Sequence, residues 1–115
     1  MASYLTPLVT TAILRELVGR GWWVTEAERT PTGLLIGFDF MPSVRPNWLK
    51  AFEVVGLQCT PDGIERAVNR WREDVLRRLA TREQLSATVR RLLAEHGPDA
   101  VRAAMAGPPQ FVRAA

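Results

Sequence analysis

Few residues in this chain have side chains suited to chemistry, and they are thinly spread. There is one histidine, His96, and one cysteine, Cys59, in 115 residues. A zinc site takes about four ligands of the right type, so this pair would need carboxylates or a second chain to complete one. Both fall at expected helix boundaries. His96 reads as a C-terminal helix residue favoured by the helix dipole. Cys59 reads as a small apolar residue in a turn, although a helix N-terminus just after it would stabilise a thiolate. Paired carboxylates are the next route to acid–base work. Glu26 and Glu28 lie two apart on an expected strand and share a face, with Asp39 on the strand opposite. An exposed hairpin face is the simpler reading of that trio. No GxGxxG or Walker-type glycine loop cradles a phosphate. The expectation is a protein that is not an enzyme, with no metal, no cofactor and no small-molecule substrate.

Arginine is the other reactive inventory. Of fifteen basic residues, fourteen are arginine and Lys50 is the single lysine. The first 59 residues balance five basic against five acidic groups, whereas residues 60–115 carry ten against seven, so the net +3 sits in the second half. Arg66, Arg70 and Arg77 lie opposite the apolar stripe of an expected central helix, and Arg90 and Arg91 follow on the next one. Such a face is able to track phosphates. Carboxylates answer it, with Asp62, Glu73 and Asp74 each four residues before an arginine. A surplus of three is weaker than the basic footprint of a dedicated nucleic-acid binder. Nucleic-acid contact through Arg66, Arg70, Arg77, Arg90 and Arg91 is therefore the alternative, and a solvated, ion-paired helix face the preferred reading.

The clearest element is the helix over 60–79, where Ile64, Ala67, Val68, Trp71, Val75 and Leu79 recur at helical spacing. Thr60 caps it and Pro61 suits its first position. A first helix over 6–18 starts at Thr6-Pro7, puts Leu5, Leu8, Val9, Ala12, Ile13 and Leu17 on one face, and stops at Gly19 and Gly21. Residues 22–30 read as a strand with Trp22, Val24, Glu26 and Glu28 on one side and Trp23, Thr25, Ala27 and Arg29 on the other. Pro31-Thr32-Gly33 is turn chemistry. Residues 34–40 then return as a strand with Leu34, Ile36, Phe38 and Phe40 facing the core. Two prolines make 41–46 a connection.

Asn47 and Gly56 bracket Trp48, Phe52 and Val55 in a pattern that favours a short helix over 48–55, with a strand at 52–55 as the rival. Read as a helix, it would form a helix–turn–helix layout with the central helix. Thr81 with Gln84 resembles a capping box for a helix bearing Leu85, Val89, Leu92 and Leu93. Gly97-Pro98-Asp99 opens a last helix, and Gly107-Pro108-Pro109 ends it.

The fold class that follows is α+β: an N-terminal helix, a β-hairpin, and three to four C-terminal helices packed on the hairpin. One domain spans 1–109, and 110–115 is a frayed tail. The hydrophobic fraction of 47% and charged fraction of 23% are those of a folded globule. There is no apolar run long enough for a transmembrane helix, no secretory signal, and too few cysteines for a disulfide framework. These point to the cytoplasm and away from a membrane. A bare hairpin has open edges, which either a third strand within 52–59 or a second copy of the chain would fill. Trp22 and Trp23 are adjacent on a strand, so one core cannot take both. The expected function is a small binding or assembly module acting through a protein–protein interface and self-associating as a homodimer. Trp22, Trp23, Leu35 and Phe38 are its candidate contact residues.

Overall fold

The computed structural model of the chain describes residues 5–43 and 47–106. Its elements run α1 (Pro7–Gly19), β1 (Val24–Arg29), β2 (Gly33–Asp39), β3 (Leu49–Val55), a 3₁₀ turn (Gly56–Gln58), α2 (Pro61–Thr81), α3 (Ala87–His96) and α4 (Pro98–Met105). The strands form one antiparallel sheet in the order β1-β2-β3. This is the α+β arrangement expected, with a third strand added to the hairpin.

The caps of the two long helices are those read from the sequence. The Thr6 hydroxyl accepts from the Val9 amide at 3.2 Å, and the Thr60 hydroxyl accepts from the Gly63 amide at 3.0 Å. Each satisfies a first-turn donor that has no partner inside its helix. Only the second half of α1 joins the core, through Ile13 and Leu17. In its first turn Leu8 and Val9 are exposed although they share the expected stripe, while Leu5 just before the helix is buried.

Three expectations are corrected. Residues 48–55 are not a helix: Leu49–Val55 is β3, paired with β2 from Leu49↔Asp39 through Val55↔Gly33. Phe52 and Val54 turn inward as alternate residues of a strand, and the backbone ladder to β2 outweighs the local cap-and-glycine pattern. The helix–turn–helix layout goes with that helix. Thr81 does not cap α3 but ends α2, where Arg82 takes the left-handed conformation (φ 57°). Ser86 supplies the α3 cap, accepting from the Val89 amide at 3.3 Å.

Strand β1 does not keep a single alternation. Its register with β2 shifts between Val24↔Phe38 and Glu26↔Gly37, which leaves Thr25 as the extra residue of a bulge. The parity of side chains changes there. Trp22 and Val24 turn inward before the bulge and Ala27 after it, while Glu26 and Glu28 are exposed. The side chains at the bulge lie over Gly37, where a Cβ would stand 2.7 Å from Glu26 Cγ and 2.9 Å from Thr25 Oγ1.

The core fills one side of the sheet only. Leu34, Ile36 and Phe38 of β2, with Phe40 just beyond it, share a core with Val54, with Ile13 and Leu17 of α1, with Ile64, Val68 and Val75 of α2, and with Val89, Leu92, Val101 and Met105 of the last two helices. The molecule is a slab 42 × 38 × 21 Å. That least dimension matches one sheet and one helical layer, each about 10 Å deep. The stop expected at 107–109, the tail at 110–115 and residues 44–46 of the connection lie outside the described residues.

The two buried glycines of β2 separate two kinds of crowding. A Cβ on Gly33 would stand 2.0 Å from the Val54 carbonyl oxygen, which is fixed in the β2–β3 ladder, whereas one on Gly37 meets only movable side chains. Gly33→Ala is expected to destabilise the fold by roughly 1–3 kcal/mol and Gly37→Ala by less than about 1 kcal/mol. Urea unfolding of both variants checks the order.

Candidate functional site

The residues singled out for chemistry are dispersed by the fold. Cys59 is buried, its thiol donates to the Val54 carbonyl at 3.3 Å, and burial pushes its pKa up, which is the opposite of activation. His96 has a nearly buried side chain, with Nε2 3.9 Å from Glu95 Oε2. Asp39 does not join Glu26 and Glu28 in an exposed trio. It is buried at 2% exposure and accepts from the Met41 amide at 2.9 Å and from Asn47 Nδ2 at 2.6 Å, so it ties off the end of β2. Among the described residues, no three His, Cys, Asp or Glu side chains are grouped so as to hold a metal ion.

The arginines separate into paired and unpaired sets. Arg77 reaches Asp74 at 2.8 Å and Glu83 at 2.6 Å, and Arg78 reaches Asp74 at 2.9 Å. Hydrogen bonds from Arg77 and Arg78 hold the Asp74 carboxyl below its ordinary range. A bond from the Thr81 hydroxyl, together with the field of Arg77, does the same for Glu83. Arg91 lies 3.9 Å from Glu95. Asp62 pairs with Arg20 at 2.9 Å and not with Arg66, whose Nε instead donates to the Asp62 carbonyl at 3.4 Å. Among the described residues Arg66, Arg70 and Arg90 are exposed without a carboxylate partner. Arg66 and Arg70 line a groove of about 260 Å³ on α2 together with Leu57, Gln58, Gly63 and Ala67.

Trp22 is enclosed. It is 2% exposed and lies 5.4 Å from the Phe38 ring, and its indole Nε1 donates to Glu65 Oε2 at 2.7 Å. Arg20 reaches the other oxygen of Glu65 at 3.4 Å and Glu16 at 3.1 Å, so one polar cluster ties the end of α1 to the start of α2. The guanidinium of Arg72, 6% exposed, lies over the Trp22 ring at 4.9 Å. Phe38 is likewise core, at 1% exposure. These two of the four interface candidates are therefore corrected: the bulge sends Trp22 inward, and Phe38 shares the core-facing parity of β2.

The other two candidates face outward. Leu35 is partly exposed and Trp23 is 37% exposed. Alternation along the three strands places Leu49 (61% exposed), Ala51, Glu53 and Val55 (45% exposed) on that same side, together with Glu26 and Glu28. The register sets Glu28, Leu35 and Glu53 in one row across the sheet. Thr25, Glu26, Gly37, Leu49 and Ala51 outline a shallow depression beside that row. The outer face is thus apolar at intervals and acidic between, and β1 and β3 are its free edges among the described residues. Strand alternation in the sequence already sets Trp23 and Leu35 on the outward side. It missed Leu49 and Val55 because β3 reads locally as a helix.

No helix of the described residues is long and apolar enough to cross a membrane. In comparison with known proteins, the chain matches no family model, no curated protein and no solved structure.

The two adjacent indoles separate fold from surface. Trp22→Ser removes a buried ring and one of the two donors to the Glu65 carboxylate, and is expected to cost about 3–5 kcal/mol. Trp23→Ser is expected to cost less than about 1 kcal/mol. Thermal melts of both variants, followed by circular dichroism, check this contrast.

Proposed function

We propose that this protein is a small, non-catalytic binding and assembly module that works through a protein–protein interface on the outer face of its sheet. The observation that carries the reading is one-sided packing. Residues of all four helices join the core on the inner side, where α1 and α2 meet the sheet and α4 packs on α2 and α3, while Trp23, Leu35, Leu49, Ala51 and Val55 stay at least partly accessible on the other. Apolar side chains gathered on one face and rimmed by charge mark interaction surfaces more often than scattered single ones do. Open strand edges beside them add backbone groups that a partner is able to engage. A cytoplasmic setting belongs to the same reading, since the one cysteine is a buried thiol.

Nucleic-acid contact is kept as the second reading on one observation: Arg66 and Arg70 lie one turn apart with no carboxylate bound to either among the described residues. The ion pairs of Arg77 and Arg91 shrink the basic face on which it would depend. Its mark would be duplex binding that weakens steeply with salt.

A benzophenone side chain placed at Leu49, and as a control at Arg82, tests the first reading in cells producing the full chain. Light-dependent crosslinks to protein are expected from position 49 and not from position 82. Absence of any crosslink from 49, or equal yield from both positions, would contradict it.

A further inference from the structure

The two free edges of the sheet are not alike. Strand β1 carries a bulge at Thr25, which kinks its edge and discourages a further strand from pairing there. Strand β3 has no such break: it pairs with β2 one residue to one from Leu49↔Asp39 through Val55↔Gly33. The Phe40 amide donates to the Trp48 carbonyl at 2.8 Å, so the even-numbered residues that follow in β3 turn their backbone groups to β2. Leu49 and Ala51, both exposed, turn theirs away from the sheet, and among the described residues nothing bonds to them.

A cavity of about 390 Å³ lies against this stretch, within the size range of ligand pockets. It touches Trp48 and Lys50, whose side chains turn inward, and also Leu49 and Ala51, whose side chains turn outward. Contact with both sets puts it along the edge of the strand, and as no β2 residue lines it, along the free edge. Opposite the strand stand Ser86, Thr88 and Val89 at the start of α3, and Trp71 of α2 adds an apolar wall. Lys50 is the one charged residue of the lining among the described residues. Its ammonium lies 5.1 Å from the centre of the Phe52 ring and 5.2 Å from that of Trp71, with no carboxylate partner among the described residues. The first turn of α3 has no acidic residue, so its dipole adds to the same sign.

We propose that the β3 edge and this cavity together form a docking groove for an extended, acidic peptide segment of another protein. The segment adds as a fourth strand against Leu49 and Ala51. Its backbone exchanges hydrogen bonds with the free N–H and C=O groups of those residues, and its side chains alternate between the two faces. Those on the inner side enter the cavity, where a Glu or Asp carboxylate meets the Lys50 ammonium and the Ser86 and Thr88 hydroxyls. Those on the outer side are apolar and lie beside Leu49 and Ala51. A second copy of this chain is a poorer occupant. Added antiparallel with both inner faces on one side, its β3 would offer Lys50, Phe52 and Val54 to the cavity, and none of these answers a positive charge. The groove goes beyond the outer-face reading and does not rest on it, since burial of the outer face requires neither the strand edge nor the cavity.

Selection from a random heptapeptide library displayed on bacteriophage, with the full chain as bait, tests the inference. Enriched peptides are expected to alternate apolar side chains with Glu or Asp. The affinity of a labelled synthetic copy is then read by fluorescence anisotropy. Ala51→Pro removes an outward backbone donor without touching the β2–β3 ladder, and is expected to raise the dissociation constant at least about tenfold. Lys50→Glu is expected to weaken acidic peptides by a similar factor and, in a fresh selection, to enrich Lys or Arg in place of Glu or Asp. That exchange of preference carries the test even where Ala51→Pro disturbs the strand, and circular dichroism melts report the folding of both variants. No enrichment overturns the inference. So do enriched peptides without a carboxylate, and acidic peptides that bind both variants as tightly as the wild type. If the chain alone forms dimers in sedimentation velocity and Ala51→Pro dissolves them, a second copy holds the edge and the inference fails. Peptides whose binding is lost with Trp23→Ser and kept with both edge variants occupy the outer face, which overturns the groove and leaves the proposed function in place.

Discussion

Everything in this molecule depends on how the apolar stripe of β2 is covered. Leu34, Ile36, Phe38 and Phe40 stand on one side of the central strand, and every one is buried. Around Phe38 and Phe40 the rings of Trp22, Trp48, Phe52 and Trp71 gather in tilted and edge-on pairs with centroids 5.2–6.4 Å apart. Aromatic rings bury large areas and favour these geometries, so this cluster draws the helices to one side of the sheet. Once they are committed there, no helix among the described residues is left to cover the opposite side.

The bulge in β1 completes that commitment. Unbroken alternation would have placed Trp22 and Val24 on the same side as Glu26 and Glu28, in conflict with any core. One extra residue at Thr25, with the Thr25 and Glu26 side chains lying over Gly37, lets the start of the strand bury its indole and the rest keep its carboxylates in water. The indole brings its own polar demand inward, and Glu65 meets it at the α1–α2 junction. The acidic character of the outer face and the burial of Trp22 therefore have one cause.

Much of this was legible in the residues, and the failures are instructive. The Thr6 and Thr60 caps, the stripe of α2 and the inward set of β2 follow from local spacing, and the fold keeps them. β3 reads as a helix because Asn47 and Gly56 bracket it, and because its inward set, Lys50, Phe52 and Val54 after Trp48, is not uniformly apolar. A lysine in that set hides the period of two, although here its ammonium lies over the Phe52 and Trp71 rings. Thr81 and Ser86 both offered a cap, and only the path of the chain through Arg82 decides between them. The bulge has no local signature beyond Gly37, which lies on the neighbouring strand. Asp62 and Arg20 are 42 positions apart, so helical spacing assigned Asp62 to Arg66 instead. The outer face was glimpsed through Trp23 and Leu35, but Leu49, Val55 and the Leu57 groove needed the third strand to be seen.

The central claim is that, among the described residues, a single sheet has one side packed by helices and the other carrying accessible Leu49 and Val55 within one copy of the chain. Methyl NMR of the dilute protein, with a soluble paramagnetic agent added, measures this directly. The account predicts strong broadening of the Leu49 and Val55 methyls and protection of the Leu34 and Val54 methyls, which sit beside them in sequence or across the same strand pair. Equal protection of both sets in the monomer would mean that the chain covers its own outer face, and the account would be wrong.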